Sequence, residues 1–301
     1  MRHETIRHLK DRTTTALFVL PALIIFLFYF VYPIPTAAFY SFFKWDGLGD
    51  RVFIGFRNWG ELFQDGFFWG AFLNNIKLLV LAVIIQLSIA MLLALFITGG
   101  TGRVRGIMRS FFIIPLMLSS VAVGLLWSHI YEFDYGILNT LLRTIGLEGL
   151  RRDWLGDPNL AIYSGIVATA WRHLPFFMIL FQAAIVGIPV PLYESADVEG
   201  ASAFQKFRYV TFPLIMPTLV NALILITIGS LKYFDIIFAL TQGGPYNSSN
   251  LMAIYLYKKA FGQFRMGYGS AIATALFLIV FIVVVTIVRS LRRLQRRVAF
   301  E

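Results

Sequence analysis

Apolar residues fall in six long runs, at residues 14–36, 72–98, 108–131, 160–187, 211–240 and 268–290, with polar connections between them. Crossing the hydrocarbon core of a bilayer takes about 20 apolar residues, because a helix rises only ~1.5 Å per residue. Each run meets that length. Several exceed it and contain proline or glycine, which predicts tilt, kinks or interfacial extensions. The first run follows basic residues, as in a signal peptide, but it is too long and lacks a small-residue cleavage site. It reads as an uncleaved anchor. The expectation is an all-α polytopic membrane protein with six transmembrane helices. Its parts are an anchor helix and first outer loop over 1–70, a transmembrane core over 71–290 and a basic tail over 291–301.

Composition agrees. Hydrophobic residues make up 58% and charged residues 14%, against about 25% charged in a soluble chain, and the mean hydropathy is +0.74. Cysteine is absent, which excludes disulfides and Cys-based metal sites. The net charge of +10 sits in arginines beside the apolar runs, a pattern of membrane topology and not of nucleic-acid binding.

Lys and Arg also set the sidedness. With a cytoplasmic N-terminus, the inside carries Arg2, Arg7, Lys10 and Arg12, then Arg103, Arg105 and Arg109, then Lys206 and Arg208. The tail adds Arg289, Arg292, Arg293, Arg296 and Arg297. The outer connections hold fewer: Lys44, Arg51, Arg57, Arg143, Arg151, Arg152, Lys258, Lys259 and Arg265. Both termini then face the cytoplasm, and so does the polar island around residues 189–213.

That island is the most informative stretch. Pro189 and Pro191 stop one helix and can seat another, placing Glu194 in a first turn favoured by the helix dipole. Gly200 can end this short helix in a left-handed conformation, and Ser202 with Gln205 has the form of a capping box that starts a second one. Ser195, Ala196, Ala201 and Ala203 keep the surface small, and Phe204 and Phe207 offer apolar anchors. From the residues alone, a docking knob and an amphipathic connector lying on the bilayer fit equally.

The segment resembles the EAA loop of permease subunits from binding-protein-dependent ABC importers, E-A-A-x-x-D-G-A followed by L-P-x-x-x-P. Glu194, Ala196, Gly200, Ala201, Phe207, Val210, Pro213 and Pro217 fall on that pattern, while Ser195, Glu199 and Phe212 are mild departures. The resemblance covers nearly the whole chain and narrows to the larger permease of the sugar-importer branch. Phe53 to Trp59 (F-I-G-F-R-N-W) with Leu62 and Phe63, Asp134 to Asn139, and Trp154 to Pro158 are similar to outer loops of that branch. Phe234-Asp235 leading to Thr241-Gln242-Gly243-Gly244-Pro245 is similar to its F-D…T-G-G-G-P stretch, with Gln242 the departure. The resemblance implies a type I importer permease in the cell membrane, partnered by a second homologous permease, an ATPase dimer and an extracytoplasmic solute-binding protein. It also implies that the loop enters a cleft of the ATPase and carries its closure to the membrane helices.

No G-x-x-x-x-G-K-[ST] occurs; Gly262 and Gly267 have the spacing, but Tyr268 follows. ATP and Mg are therefore expected on the partner ATPase, with no cofactor or metal in this chain. His3, His8, His129 and His173 lack metal-ligand spacing, and no G-x-S-x-G turn is present, so the chain is not expected to be an enzyme.

Charged groups inside a bilayer are costly and usually face a cavity. Lys77, near the outer start of its run, can snorkel. Arg172 and His173 lie midway along the fourth run before Pro175, where a broken helix would expose a carbonyl. Arg172 then either meets substrate or satisfies the break. Lys232 and Asp235, three apart, can pair on one helix face, beside Gly229, Ser230 and Tyr233; an ion pair at the outer interface is the plainer reading. The sugar-importer resemblance, in which these two helices line the cavity, adds Arg172, His173, Phe176, Ser230, Tyr233 and Asp235 as substrate-path candidates. Sugars, oligosaccharides and glycerol-3-phosphate or other polyols all fit as cargo. An ion-coupled secondary carrier and a structural scaffold subunit are the alternatives.

Overall fold

The computed structural model describes residue 14 and residues 16–99 and 102–298. Arg2, Arg7, Lys10 and Arg12, used in the sidedness argument, lie outside the described residues. So do the side chains of Arg103, Arg105, Arg292, Arg293, Arg296 and Arg297.

Two compact units divide the chain. The first joins the residues up to Asp65 with Leu256–Ala275. It contains α1 (Ala16–Tyr40), an apolar helix with nothing buried in its window. A short antiparallel pair follows, β1 (Phe43–Lys44) with β2 (Val52–Phe53), in an otherwise mostly helical fold. Next comes α2 (Arg57–Gln64).

The second unit begins with α3 (Gly66–Gly99), continuous through a π-turn at Val83–Leu87. α4 (Gly102–Met117) and α5 (Ser120–Tyr131) follow, meeting at a 99° bend. The third run, 108–131, is thus a sharply bent pair, beyond the kink that its proline and glycine predict. Pro115 removes one backbone donor near the end of α4, and Ser119 caps α5 by accepting from Ala122 N–H at 3.1 Å. After α6 (Ile137–Thr144) comes α7 (Ala161–Val186). It runs unbroken past Pro175, contrary to the expected interruption there. Leu174, Phe177, Met178 and Phe181 pack around that proline into the main apolar cluster, and this holds the helix together across the missing hydrogen bond.

α8 (Val190–Val198) and α9 (Ala203–Lys206) form the polar island. A π-turn at Phe207–Thr211 joins α9 to α10 (Phe212–Leu231). The second short helix is therefore the start of the fifth span and not a separate piece. Helical bonding lapses at 232–234 before α11 (Asp235–Thr241). Gln242, the departure from the T-G-G-G-P pattern, adopts a left-handed φ of 50° at the end of α11, where glycine carries no steric cost. α12 (Met252–Tyr257) and α13 (Met266–Val298) complete the chain. Among the described residues, five helices are long and apolar enough to span a membrane, or six with the bent α4–α5 pair counted as one.

The main core of the second unit joins α3 to α7. Ala90 and Ala94, both fully buried one turn apart, let α3 approach the face of α7 that carries Phe177, Met178 and Phe181.

Candidate functional site

The island folds as a rigid elbow. Pro189 caps α8 with Pro191 in its first turn, as the sequence suggests. α8 begins at Val190, however, so Glu194 falls in its second turn and gains little from the dipole, a correction to the expected placement. Gly200, at φ +74°, closes α8. Its N–H donates to Asp197 O at 3.0 Å, and Ala201 N–H donates to Ala196 O at 2.9 Å, the paired bonds of a Schellman ending. Ser202 and Gln205 complete the capping box: Gln205 N–H donates to Ser202 Oγ at 3.3 Å, and Ser202 N–H to Gln205 Oε1 at 2.7 Å.

An unforeseen pair ties the two arms, Lys206 Nζ to Asp197 Oδ1 at 2.6 Å. With the Lys206 side chain half-buried and Asp197 exposed to solvent screening, it contributes about 1 kcal/mol at most. Tyr193 and Thr211 share a 2.9 Å hydroxyl contact between the same arms. Glu194, Glu199, Gly200 and Pro213 are exposed; Ala196 and Ala201 are half-buried. Phe207 packs into the main core and is not an outward anchor, a second correction. Phe204 and Val198 are the prominent exposed apolar side chains of the elbow, at 74% and 90% exposure.

At the far end of α10, a cavity of about 90 Å³ opens among α3, α7 and α10. His173, Ser230 and Tyr233 line it, together with Thr169, Gln86 and Phe177. Gln86 sits in the π-turn of α3, a backbone irregularity common at functional sites. The His173 and Tyr233 rings meet edge to face with centroids 5.7 Å apart. Two buried hydroxyls among these side chains, Tyr233 OH and Thr169 Oγ1, lie beside one another and complete no hydrogen bond of standard geometry among the described residues. Each keeps capacity for a better partner, so the pair can turn to a hydroxylated ligand.

Arg172, Phe176 and Asp235 do not line this cavity. Phe176 is exposed. Asp235 is also exposed, accepting from Ser120 Oγ at 3.3 Å, and forms no pair with Lys232, because the break between α10 and α11 separates them. This corrects the expected Lys232–Asp235 ion pair, which needed one continuous helix. Arg172 donates from Nε and Nη2 to Leu118 O at 3.2 and 3.0 Å, satisfying the carbonyl exposed where α4 ends. It does serve a helix break, but in the third span and not in its own. His173 donates from Nδ1 to Thr169 O at 2.9 Å, which leaves Nε2 to accept from Arg172 Nη1 at 3.4 Å.

Arg172→Lys replaces a two-donor fork by a point charge. We expect a loss of about 1–2 kcal/mol, read as a lower thermal midpoint of the assembled complex, with transport KM within twofold. An unchanged midpoint with a raised KM would instead make Arg172 a substrate ligand.

Asn74 and Asn75 complete the site, although no motif marks them. Asn75 is fully buried on α3. Its Nδ2 donates to Ser230 O and Leu231 O at 2.7 and 3.1 Å, and its Oδ1 accepts from Met252 N–H at 2.9 Å. Asn74 Nδ2 donates to Ser248 O and Asn250 O at 2.7 and 3.0 Å. The break that presents Tyr233 to the cavity is thus held from a neighbouring helix. Their only signal in the sequence is two adjacent amides inside an apolar run. Among the described residues, no three His, Cys, Asp or Glu side chains group as metal ligands.

Residues 86–299 match the family described as "Binding-protein-dependent transport system inner membrane component". The chain is 34% identical over 280 residues to a probable ABC transporter permease protein of Pyrococcus horikoshii, covering 93% of this chain and 96% of that one. It is 32% identical over 287 residues to the sulfoquinovosyl glycerol transport system permease protein of Agrobacterium fabrum, covering 94% and 92%. A chain of the bacterial alginate ABC transporter, solved with an alginate pentasaccharide-bound periplasmic protein, superposes with a TM-score of 0.85 at 26% identity, covering 96% of this chain and 97% of that one. Matched over most of its length, the chain belongs to the multi-pass inner membrane components of binding-protein-dependent transport systems.

Proposed function

We propose that the chain is the membrane-spanning permease of an ATP-driven importer for a sugar or oligosaccharide delivered by an extracytoplasmic binding protein. It crosses the bilayer six times with both termini and the α8–α9 elbow in the cytoplasm, and it pairs with a second homologous permease. ATP and Mg bind in a dimer of separate ATPase subunits, so the chain itself is not an enzyme. The observation that carries this reading is the likeness along nearly the whole chain to the alginate transporter crystallised with its saccharide-loaded periplasmic protein.

The geometry supports a lever. Residues 203–231 run as continuous helix through the π-turn, roughly 40 Å at ~1.5 Å per residue. One end is the capped elbow, and the other carries Ser230 and Tyr233 at the cavity. Closure of the ATPase pair on Glu194, Glu199 and Gly200 displaces a stiff rod and not a loose loop. Such coupling requires that nucleotide and substrate each favour one of two states. Alternating access follows, the cavity opening outward when the ATPases close and inward after hydrolysis.

The test is reconstitution. Uptake into proteoliposomes should require this chain, the second permease, the ATPase, ATP and the binding protein. Sugar uptake by the isolated chain down an ion gradient, without ATP, would overturn the proposal.

A further inference from the structure

The first unit encloses a concavity of its own, about 400 Å³, within the ~300–1,000 Å³ range of small-molecule sites. Its walls are fixed by local bonding. Asn58, buried on α2, donates from Nδ2 to Ser41 O and Phe43 O at 2.8 and 2.9 Å. Gly267 N–H donates to Trp45 O at 3.1 Å, and a Cβ at Gly267 would collide with Phe43 O, so only glycine lets these segments meet. Arg265 pairs with Glu61 at 2.6 Å and lies over the Tyr268 ring at 4.6 Å. The Asp46 carboxylate accepts from the N–H groups of Leu48 and Gly49, both at 2.9 Å.

Other lining groups are uncommitted. The side chains of Lys44, Asp50 and Arg57 are exposed, and none has a hydrogen-bond or ion-pair partner among the described residues. Beside them the half-buried Trp45 ring is oriented by its Nε1–H, which donates to Gly49 O at 3.1 Å.

An aromatic ring next to unpartnered charged heads is the chemistry of saccharide recognition. The ring covers the apolar face of a sugar, while guanidinium, ammonium and carboxylate groups take its hydroxyls. A protein partner would require a broad surface with an apolar centre, and an added strand would require a long free edge. The site is concave and charged, and its strands are two residues long.

We infer that this concavity is a second saccharide subsite, in which Trp45 stacks on a sugar ring and Lys44, Asp50 and Arg57 bind its hydroxyls. The two cations also admit a uronate carboxylate. This rests on the sugar-importer reading above.

The test uses the complete transporter in nanodiscs without its binding protein. Tryptophan fluorescence is titrated with maltotriose and with trigalacturonate, and uptake of both is measured in proteoliposomes with the binding protein. We expect a saturable change with at least one sugar, absent in Trp45→Phe and shifted at least tenfold to higher concentration in Arg57→Ala and Asp50→Ala. Uptake of either sugar without a saturable change overturns the subsite and leaves the importer standing. Loss of binding-protein association in Arg57→Ala, with no sugar signal in the parent, also overturns it and makes the concavity a docking surface. If neither these sugars nor others are bound or transported, the sugar reading fails and the subsite with it.

Discussion

Replacing Asn75 with leucine should cost the assembled transporter about 3–5 kcal/mol and reduce uptake by more than tenfold. Leucine keeps the branching and heavy-atom count of asparagine, but its methyl groups are bulkier, so overpacking contributes a part of the loss at this fully buried position. The larger part is hydrogen bonding: Leu231 O and Met252 N–H, both bonded to Asn75, are left without a partner in a buried setting, while Ser230 O keeps only the adjacent backbone donors, Tyr233 N–H at 3.5 Å among them. A buried polar group stripped of its partner costs about 1–3 kcal/mol, and two are stripped at once here. The break between α10 and α11 then has no fixed geometry, and Tyr233 loses its place beside His173. Thermal unfolding of the complex, together with uptake rate, measures this. Asn75→Asp keeps the acceptor for Met252 N–H but turns a second oxygen toward two carbonyls, so it should be nearly as damaging. Wild-type stability and uptake in the leucine variant would show that the amide does not hold the break.

The second large effect is expected at Gly200. An added Cβ meets no atom within 4 Å, so Gly200→Val creates no clash. Its penalty comes from the backbone: at φ +74° a β-branched residue costs about 1–2 kcal/mol. The Schellman bonds from Gly200 and Ala201 should yield first, since little packing backs them. The elbow then loses its angle while the membrane core remains intact. We expect the complex to assemble, ATP hydrolysis to lose its stimulation by loaded binding protein, and uptake to fall more than tenfold. Gly200→Asn, a residue that tolerates left-handed backbone, should retain most of the activity. Equal uptake in the valine variant and the parent would remove the elbow from the coupling path.

Local chemistry was legible in the sequence. Pro189, Gly200 and the Ser202–Gln205 box act within four residues of themselves, so spacing alone announces them. The apolar runs are equally local, because bilayer thickness and helix rise set their length. The breaks were misplaced. Pro175 pointed to one that core packing on α7 closes, whereas the real ones lie at Leu118 and at 232–234. The partners that stabilise them are distant in the chain: Arg172 lies 54 residues from Leu118, and Asn75 lies 155 from Ser230. No periodicity reports such pairings.

What the sequence determined by itself is therefore the membrane class, the elbow and its caps, since each depends on residue type and short-range backbone preference. Which carbonyls are left open, and which side chains reach them, was decided only when the helices packed. An unpaired polar group in an apolar interior is costly enough to recruit whichever donor the tertiary arrangement brings near. His173, Ser230 and Tyr233 share a cavity for the same reason: Asn75 holds a break open that the chain's own pattern would have written as helix.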